Sequence, residues 1–253
     1  MDDRVAQRTP RRTIKSHEND KVRSFGGIRL GSFLGMRQKK TGNSPADLIS
    51  FGASLRELRG AAKLCRGCDI WQRATQVVFG EGAPRTQVMF VGEQPGNRED
   101  LEGRPFVGPA GRLLDEALAQ AGIERGRVYV TNIVKHFNST QRGKLRIHKK
   151  PNAQEIAACR PWLLAEIAAV RPKVIVCLGS TAAQALISRD FRVSRQGGKL
   201  IKSELAPSIT ATVHPSSILR APDDDSRHAE MKRFIADLKT IALHLPPSAL
   251  KRD

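Results

Sequence analysis

Acidic residues are scarce in this chain: 25 Asp and Glu stand against 43 Lys and Arg in 253 residues, a formal charge of +18 with a sequence pI of about 10.5. That balance is far from the near-neutral one of a typical cytosolic enzyme and suits a polyanionic partner. Long apolar runs are missing as well. None approaches the roughly 20 residues that a membrane-spanning helix needs. The N-terminus has no continuous apolar stretch and is broken by Asp2, Asp3, Glu18 and Asp20, so a secretory leader is not expected. A cytoplasmic, monomeric protein is the expectation. No internal repeat is visible. Cysteine is limited to Cys65, Cys68, Cys159 and Cys177, which is too sparse for a disulfide scaffold and, in a reducing compartment, points to a metal site.

The positive charge is not confined to one end. Residues 1–45 carry eleven Lys and Arg against four Asp and Glu, so they contribute +7 and leave +11 for the rest. Nucleic acid is therefore favoured over an anionic membrane, because Lys and Arg that displace counterions from phosphates gain affinity. Residues 1–45 read as a disordered basic arm. Residues 46–245 read as one domain, and residues 246–253 as a C-terminal tail.

Within the domain, strand and helix patterns alternate. Asp47 to Leu64 has Leu48, Leu55, Leu58 and Ala62 on one helical face. Val88–Gly92 is a short apolar strand closed by Glu93-Gln94-Pro95-Gly96. Gly111–Ala121 is an amphipathic helix with Gly122 as its stop. Val128–Val134 is a second strand, Ala153–Val170 a long helix, and Lys173–Gly179 a third strand with almost no polar interruption. Ser180–Ile187 follows as a helix, Ile209–Val213 as a fourth strand, and His228–Leu243 as the last helix. Alternation of this kind predicts an α/β fold: a three-layer α/β/α domain around a central four-stranded parallel sheet. Ligands of such sheets bind beyond the carboxyl ends of the strands. The turn at Glu93–Gly96, the pair Thr131-Asn132, and His214 all fall at such ends.

One basic, loop-like segment, Gly143 to Pro151, surrounds His148 with Lys144, Arg146, Lys149 and Lys150. Neighbouring cations favour a neutral imidazole with a free lone pair near pH 7. Such a ring can attack an electrophile carried on a polyanion, whereas the plainer role for a basic loop is solvation or phosphate binding. Alternation along an extended Arg146-Ile147-His148 would put the two polar residues on one side and turn Ile147 to the protein. For the cysteines, C-x2-C plus two distant thiols suits zinc or an iron–sulfur cluster equally, and Cys159 and Cys177 also read as buried apolar fillers.

Four segments together carry a family resemblance: Gly92-Glu-Gln-Pro-Gly96, Gly103-Arg-Pro-Phe-Val-Gly-Pro-Ala-Gly111, Thr131-Asn-Ile-Val-Lys135 and His214-Pro-Ser-Ser-Ile-Leu-Arg220. They resemble the uracil-DNA glycosylase superfamily, most closely its iron–sulfur branch, family 4. The glutamine in GEQPG and the Arg-Ile-His before Lys-Lys-Pro are similar to the UdgX type. The basic loop here, KLRIH, departs slightly from the more basic form of that type. The resemblance covers about Leu64 to Leu243 and leaves residues 1–45 outside.

The resemblance implies uracil-containing DNA as partner, with single strands preferred, and a 4Fe–4S cluster held by Cys65, Cys68, Cys159 and Cys177. It implies that Phe106 stacks on the flipped base and Asn132 hydrogen-bonds its edge, with Gly92 and Gln94 shaping the pocket. His214 would donate to the uracil oxygen on which charge develops. His148 would capture the sugar with Glu93 assisting, leaving a covalent protein–DNA adduct after one turnover. Lys144, Arg146, Ser216, Ser217 and Arg220 would contact DNA, with Arg146 also holding the loop closed. Two alternatives accompany this expectation. One is a multiple-turnover glycosylase using water activated by Glu93, and the other a non-catalytic nucleic-acid binder.

Overall fold

The computed structural model describes residues 43–245 and 247–250. Apart from residues 43–45, the expected basic arm lies outside the described residues.

Strands β1 (Val88–Gly92), β2 (Val128–Asn132), β5 (Val174–Leu178) and β6 (Ser208–Thr212) form one sheet in the order β2-β1-β5-β6, with every pairing parallel. All five residues of β1, β2 and β5 are buried, as near-continuous Val, Ile and Leu runs require when helices cover both faces. Side chains alternate between two cores. Met89, Val91, Tyr129, Ile175 and Cys177 pack on one face with Trp162, Leu163 and Ile167 of α5 (Ala153–Val170). Val88, Phe90, Val130 and Val176 pack on the other with Leu114 and Leu118 of α4 (Pro109–Gln120), and with Phe234 and Leu238 of α9 (Asp224–Ala242). Each fully buried large apolar side chain contributes roughly 1.5–3 kcal/mol. The three-layer α/β/α domain with a four-stranded parallel sheet is the architecture the sequence predicts.

A buried ion pair ties α5 to β2. Lys135 Nζ and Glu166 are 1% and 0% exposed and in direct contact. Glu166 also accepts from the Tyr129 hydroxyl at 3.0 Å, from Thr131 Oγ1, and from the Gly80 backbone N–H at 2.9 Å. With so many partners the desolvated charges are fully satisfied, the condition under which burying them is tolerated. Lys135 Nζ reaches the Asn132 carbonyl at 2.6 Å as well, so the network holds the end of β2 where the site begins.

The structure departs from the sequence reading at four points. The helix expected over Asp47–Leu64 is two, α1 (Pro45–Leu48) and α2 (Leu55–Ala62). Gly52 turns left-handed between them (φ 73°), and Ser54 with Glu57 forms a capping box that starts α2 afresh. The basic loop is an antiparallel hairpin of β3 (Ser139–Arg142) and β4 (Leu145–His148), with Gly143 at φ 58° in its turn. Ile147 does not face the protein: it is 43% exposed, while Arg146 turns inward. The residues expected as a tail are partly folded too, since Leu250 bridges to Ile123 and Ala249 is buried. Short helices α3 (Asn97–Glu102), α6 (Ser180–Leu186), α7 (Val193–Gln196) and α8 (Pro215–Ile218) complete the domain. Among the described residues no helix is long and apolar enough to cross a membrane.

Candidate active site

The carboxyl ends of all four parallel strands open on one cleft of about 730 Å³. β1 delivers Glu93 and Gln94, β2 delivers Asn132, β5 leads through Gly179 to Thr181, and β6 leads to His214. Phe106, His148, Lys150, Ser216, Ser217 and Arg220 also line it. The strand ends predicted from sequence to meet do so.

Gly92 and Asn132 are register partners, and their closeness explains the glycine. A Cβ on Gly92 would lie 2.3 Å from Asn132 Oδ1 and 3.0 Å from Phe106 Cζ, so any side chain there would displace both groups. Phe106 has φ 57°, a left-handed conformation that costs a non-glycine residue on the order of 1–3 kcal/mol. Gly111 accommodates it, because a Cβ there would fall 1.8 Å from the Phe106 carbonyl oxygen. The Phe106 ring is held nearly parallel to that of His214, with centroids 6.3 Å apart and planes at 29°.

His214 caps α8, and its Nδ1 accepts the Ser216 backbone N–H at 3.1 Å, with Ser216 Oγ at 2.8 Å. Desolvation pulls its pKa down to about 4, with Arg220 adding to the effect and Glu93 opposing it. The ring is therefore neutral at pH 7. With Nδ1 occupied as an acceptor, its proton sits on Nε2. Ser217 Oγ donates to the His214 carbonyl at 2.8 Å. Both serines thus support the histidine from within the protein.

Glu93 is half-buried. Its Oε2 accepts from Thr181 Oγ1 at 2.5 Å, and its Oε1 lies 3.3 Å from His148 Nε2. Burial pushes its carboxyl up, but hydrogen bonds from His148 and Thr181 and the charges of His148 and Lys150 outweigh it and leave the pKa below the ordinary range. Glu93 is a carboxylate at neutral pH.

The hairpin reaches this carboxylate because Gln94 and Arg146 dock it. Gln94 does not point its amide at a ligand. Its Nε2 donates to the carbonyls of Asn138 and Lys149, both at 3.2 Å, and its Oε1 accepts the Asn138 N–H at 3.3 Å, which clamps the two ends of the hairpin. Arg146 donates to Asp100 Oδ2 at 2.6 Å, to Asn97 Oδ1 at 2.8 Å and to Thr75 Oγ1 at 3.1 Å, and its guanidinium lies over the Phe137 ring. Its Nε and Nη1 are thus engaged within the protein. Lys144 is exposed in the turn and does not line the cleft, whereas Lys150 does.

Three of the four cysteines meet elsewhere. Cys65, Cys68 and Cys159 line a small cavity together with His136, Lys135 and Trp162. Trp162 Nε1–H donates to Cys65 Sγ at 3.2 Å, and the Lys135 backbone N–H to Cys159 Sγ at 3.2 Å. Burial pushes the Cys159 thiol up to about 12 and also raises Cys68. Cys177 is not among the lining residues. It sits in mid-β5, fully buried between Val91 and Ala211, as an apolar filler would. Beside the three thiols the cavity holds one imidazole, that of His136, which sequence reasoning passed over. Its one signal in the sequence was its place directly after Thr131–Lys135; that it lies in a run buried without break from Val128 to Ser139 is seen only in the structure. Among the described residues, no group of three or more His, Cys, Asp or Glu side chains is arranged to hold a single metal ion.

The fold and cleft define an α/β site in which an aromatic face, Phe106, an amide, Asn132, and a neutral histidine, His214, line one cavity. The model of the uracil DNA glycosylase superfamily matches residues 79–239. The chain is 39% identical over 165 residues to a type-4 uracil-DNA glycosylase of Archaeoglobus fulgidus, covering 62% of this chain and 79% of that one. It is 38% identical over 176 residues to a type-4 enzyme of Thermotoga maritima, covering 69% and 85%. A type-5 uracil-DNA glycosylase of Pyrobaculum aerophilum is 31% identical over 147 residues, covering 51% and 60%. This chain belongs to the uracil-DNA glycosylase superfamily.

Proposed function

We propose that this chain is a DNA-repair glycosylase that excises uracil from DNA and, in the manner of the UdgX type, retains the abasic sugar on His148. The observation that carries the covalent step is the approach of His148 Nε2 to Glu93 Oε1, 3.3 Å, in the cleft that also holds Asn132 and His214. Asn132 suits the edge of a flipped uracil because one amide both donates and accepts, and Phe106 offers a stacking face. The C1′–N1 bond breaks with its electron pair leaving on uracil. Nε2–H of neutral His214 donates to the uracil oxygen that gains charge, an electrostatic contribution of the oxyanion-hole kind. The Glu93 carboxylate steadies the cationic sugar. The unprotonated nitrogen of His148 then gives its lone pair to C1′. At rest Nε2 carries the proton that Glu93 accepts; attack by Nε2 follows exchange of that proton through water to give the tautomer protonated on Nδ1. The products are an imidazolium joined to the sugar and a uracil anion, which takes a proton from water after release. With no acid placed to expel the imidazole, the adduct persists and turnover stops at one.

A second reading is a multiple-turnover glycosylase in which Glu93 polarises water. The charged, partly accessible state of Glu93 favours it. The deciding experiment is denaturing electrophoresis with a labelled uracil-containing single strand. A heat- and SDS-stable band that His148→Ala abolishes supports capture. Only free, alkali-labile DNA with the wild type supports water.

The chain would act as a monomer on DNA, single strands preferred because they need no unpairing. Lys150 and Arg220 at the cleft rim are the cations best placed for phosphates, and Lys144 extends the basic surface along the hairpin. Cys65, Cys68, Cys159 and His136 fit a 4Fe–4S cluster: N–H donors already address two of the sulfurs, and a cluster spreads its ligands over several irons where a single ion needs them to converge. When bound, it would tie the Cys65–Cys68 segment to α5 as a structural brace. Iron bound to the purified chain, kept in Cys177→Ala and lost in His136→Ala, would support this ligand set over one containing Cys177.

A further inference from the structure

The two oxygens of Glu93 have different neighbours. Oε2 takes the short 2.5 Å hydrogen bond from the Thr181 hydroxyl, and Oε1 faces His148 Nε2. Thr181 is the second residue of α6, is 7% exposed, and lies outside the four segments that carry the family resemblance. It reaches Glu93 because β5 ends at Gly179, whose left-handed turn (φ 87°) brings the start of α6 against His214. A Cβ at Gly179 would lie 3.0 Å from the His214 Cβ.

We propose that Thr181 is a positioning residue for the glycosidic reaction: it pins one oxygen of Glu93 so that the other is aimed at the sugar side of the cleft. A glutamate carboxyl rotates broadly about its last torsion, so without a fixed donor its oxygens sample many directions. A threonine in the first turn of a helix is a stiff donor, restricted at χ1 by its branched Cβ. His148 is no substitute, because it stands on a hairpin and its side chain is 53% exposed. Of the two groups that hydrogen-bond Glu93, Thr181 is the one fixed by burial. The Thr181–Glu93 bond also favours the ionised carboxyl, so it supports the charge that the developing sugar cation requires. The inference rests on the glycosylase reading for what Glu93 does, and is independent of whether the sugar is captured or hydrolysed.

The test compares full-length wild type, Thr181→Val and Thr181→Ser on a uracil-containing single strand. Single-turnover uracil release is followed from about pH 4 to about pH 8; Glu93 and His214 both titrate toward the acid end, and only the carboxylate's share of the acid limb answers directly to the Thr181 hydroxyl. Valine keeps the shape and removes the donor. It is expected to slow release by roughly 10- to 100-fold at neutral pH, the range for a lost hydrogen bond to a charged group, and to move the acid limb to higher pH. Serine keeps the donor and should restore most of the rate and return the limb. An unchanged rate and limb in Thr181→Val overturns the assignment. So does Thr181→Ser as slow as Thr181→Val with an unmoved limb, which would mark a packing role. A wild type that releases no uracil overturns both this inference and the glycosylase reading. One that releases uracil without a crosslink overturns only the covalent step.

Discussion

Two histidines face the same cleft, and the chain treats them in opposite ways. His214 is seated at the end of β6, its Nδ1 engaged by Ser216, its ring beside Phe106 and its pKa drawn down to about 4 by desolvation. His148 stands on a two-stranded hairpin with a side chain 53% exposed, held at one remove by Gln94 and by the Arg146–Asp100 pair. A proton donor to a leaving group must be immobile and in one tautomer, because its value lies in being aligned before charge appears. A nucleophile that forms a bond must be able to advance. The same imidazole is thus made rigid by a strand end and adaptable by a hairpin.

The largest expected effect tests the rigid side. His214→Ala should lower uracil release by about 10²- to 10³-fold, the range for a lost oxyanion-hole donor, while His148→Ala should leave release within about tenfold and remove only the adduct. Equal loss of release in both variants, measured under single turnover, would erase the distinction between the two rings.

Acid should expose the same contrast in stability. The folded pKa of His214, about 4, lies below the unfolded value of about 6.5. The unfolded chain therefore binds the extra proton first as pH falls. The contribution of the neutral ring is full above about pH 6.5 and is lost as pH drops toward about 4, amounting to at most about 3 kcal/mol. Thermal unfolding of the wild type at steps between those pH values should show a declining midpoint, and His214→Gln should flatten the decline. A profile that the substitution leaves unaltered would remove His214 as its source.

The smallest effect belongs to the hairpin. Arg146→Ala leaves the fully buried Asp100 with its Thr75 backbone N–H bonds but without its counter-charge. A loss of about 2 kcal/mol is expected, below the 3–5 kcal/mol of a completely buried pair because Arg146 is 20% exposed. The adduct yield should fall several-fold while uracil release changes less. If release falls as far as adduct yield, the pair supports the whole cleft rather than the hairpin alone.

The framework of the fold was legible in the chain. The runs read at Val88–Gly92, Val128–Val134, Lys173–Gly179 and Ile209–Val213 marked the sheet to within two residues at each strand end, and α5 begins and ends where its pattern said. The polar residues just past the strand ends were legible for the same reason, since a parallel sheet directs all such ends to one rim. Harder to see was anything that depends on which surface a side chain finds. Gln94 lines the pocket, but that its amide also clamps the hairpin had no sign in the sequence. Arg146 stood as a DNA contact that also holds the loop closed, and the carboxylate its Nη1 reaches, Asp100, is 46 positions away. Thr181 had no motif to announce it.

What the sequence determined by itself was periodicity and charge: a sheet covered on both faces, a strongly basic surface, and the order of the polar turns. Those properties follow from local spacing, because strand alternation and helix repeat act over a few residues. What only the tertiary structure decided was the choice among chemically equal candidates. Four cysteines were interchangeable on spacing, but packing sends Cys177 into the middle of β5 and brings His136 to Cys65, Cys68 and Cys159. Six histidines were available in the chain, and strand ends and a docked hairpin bring His214 and His148 to one carboxylate-bearing cleft. Such selections are set by contacts between segments distant in sequence, where desolvation and hydrogen-bond satisfaction act on positions that spacing alone does not bring together.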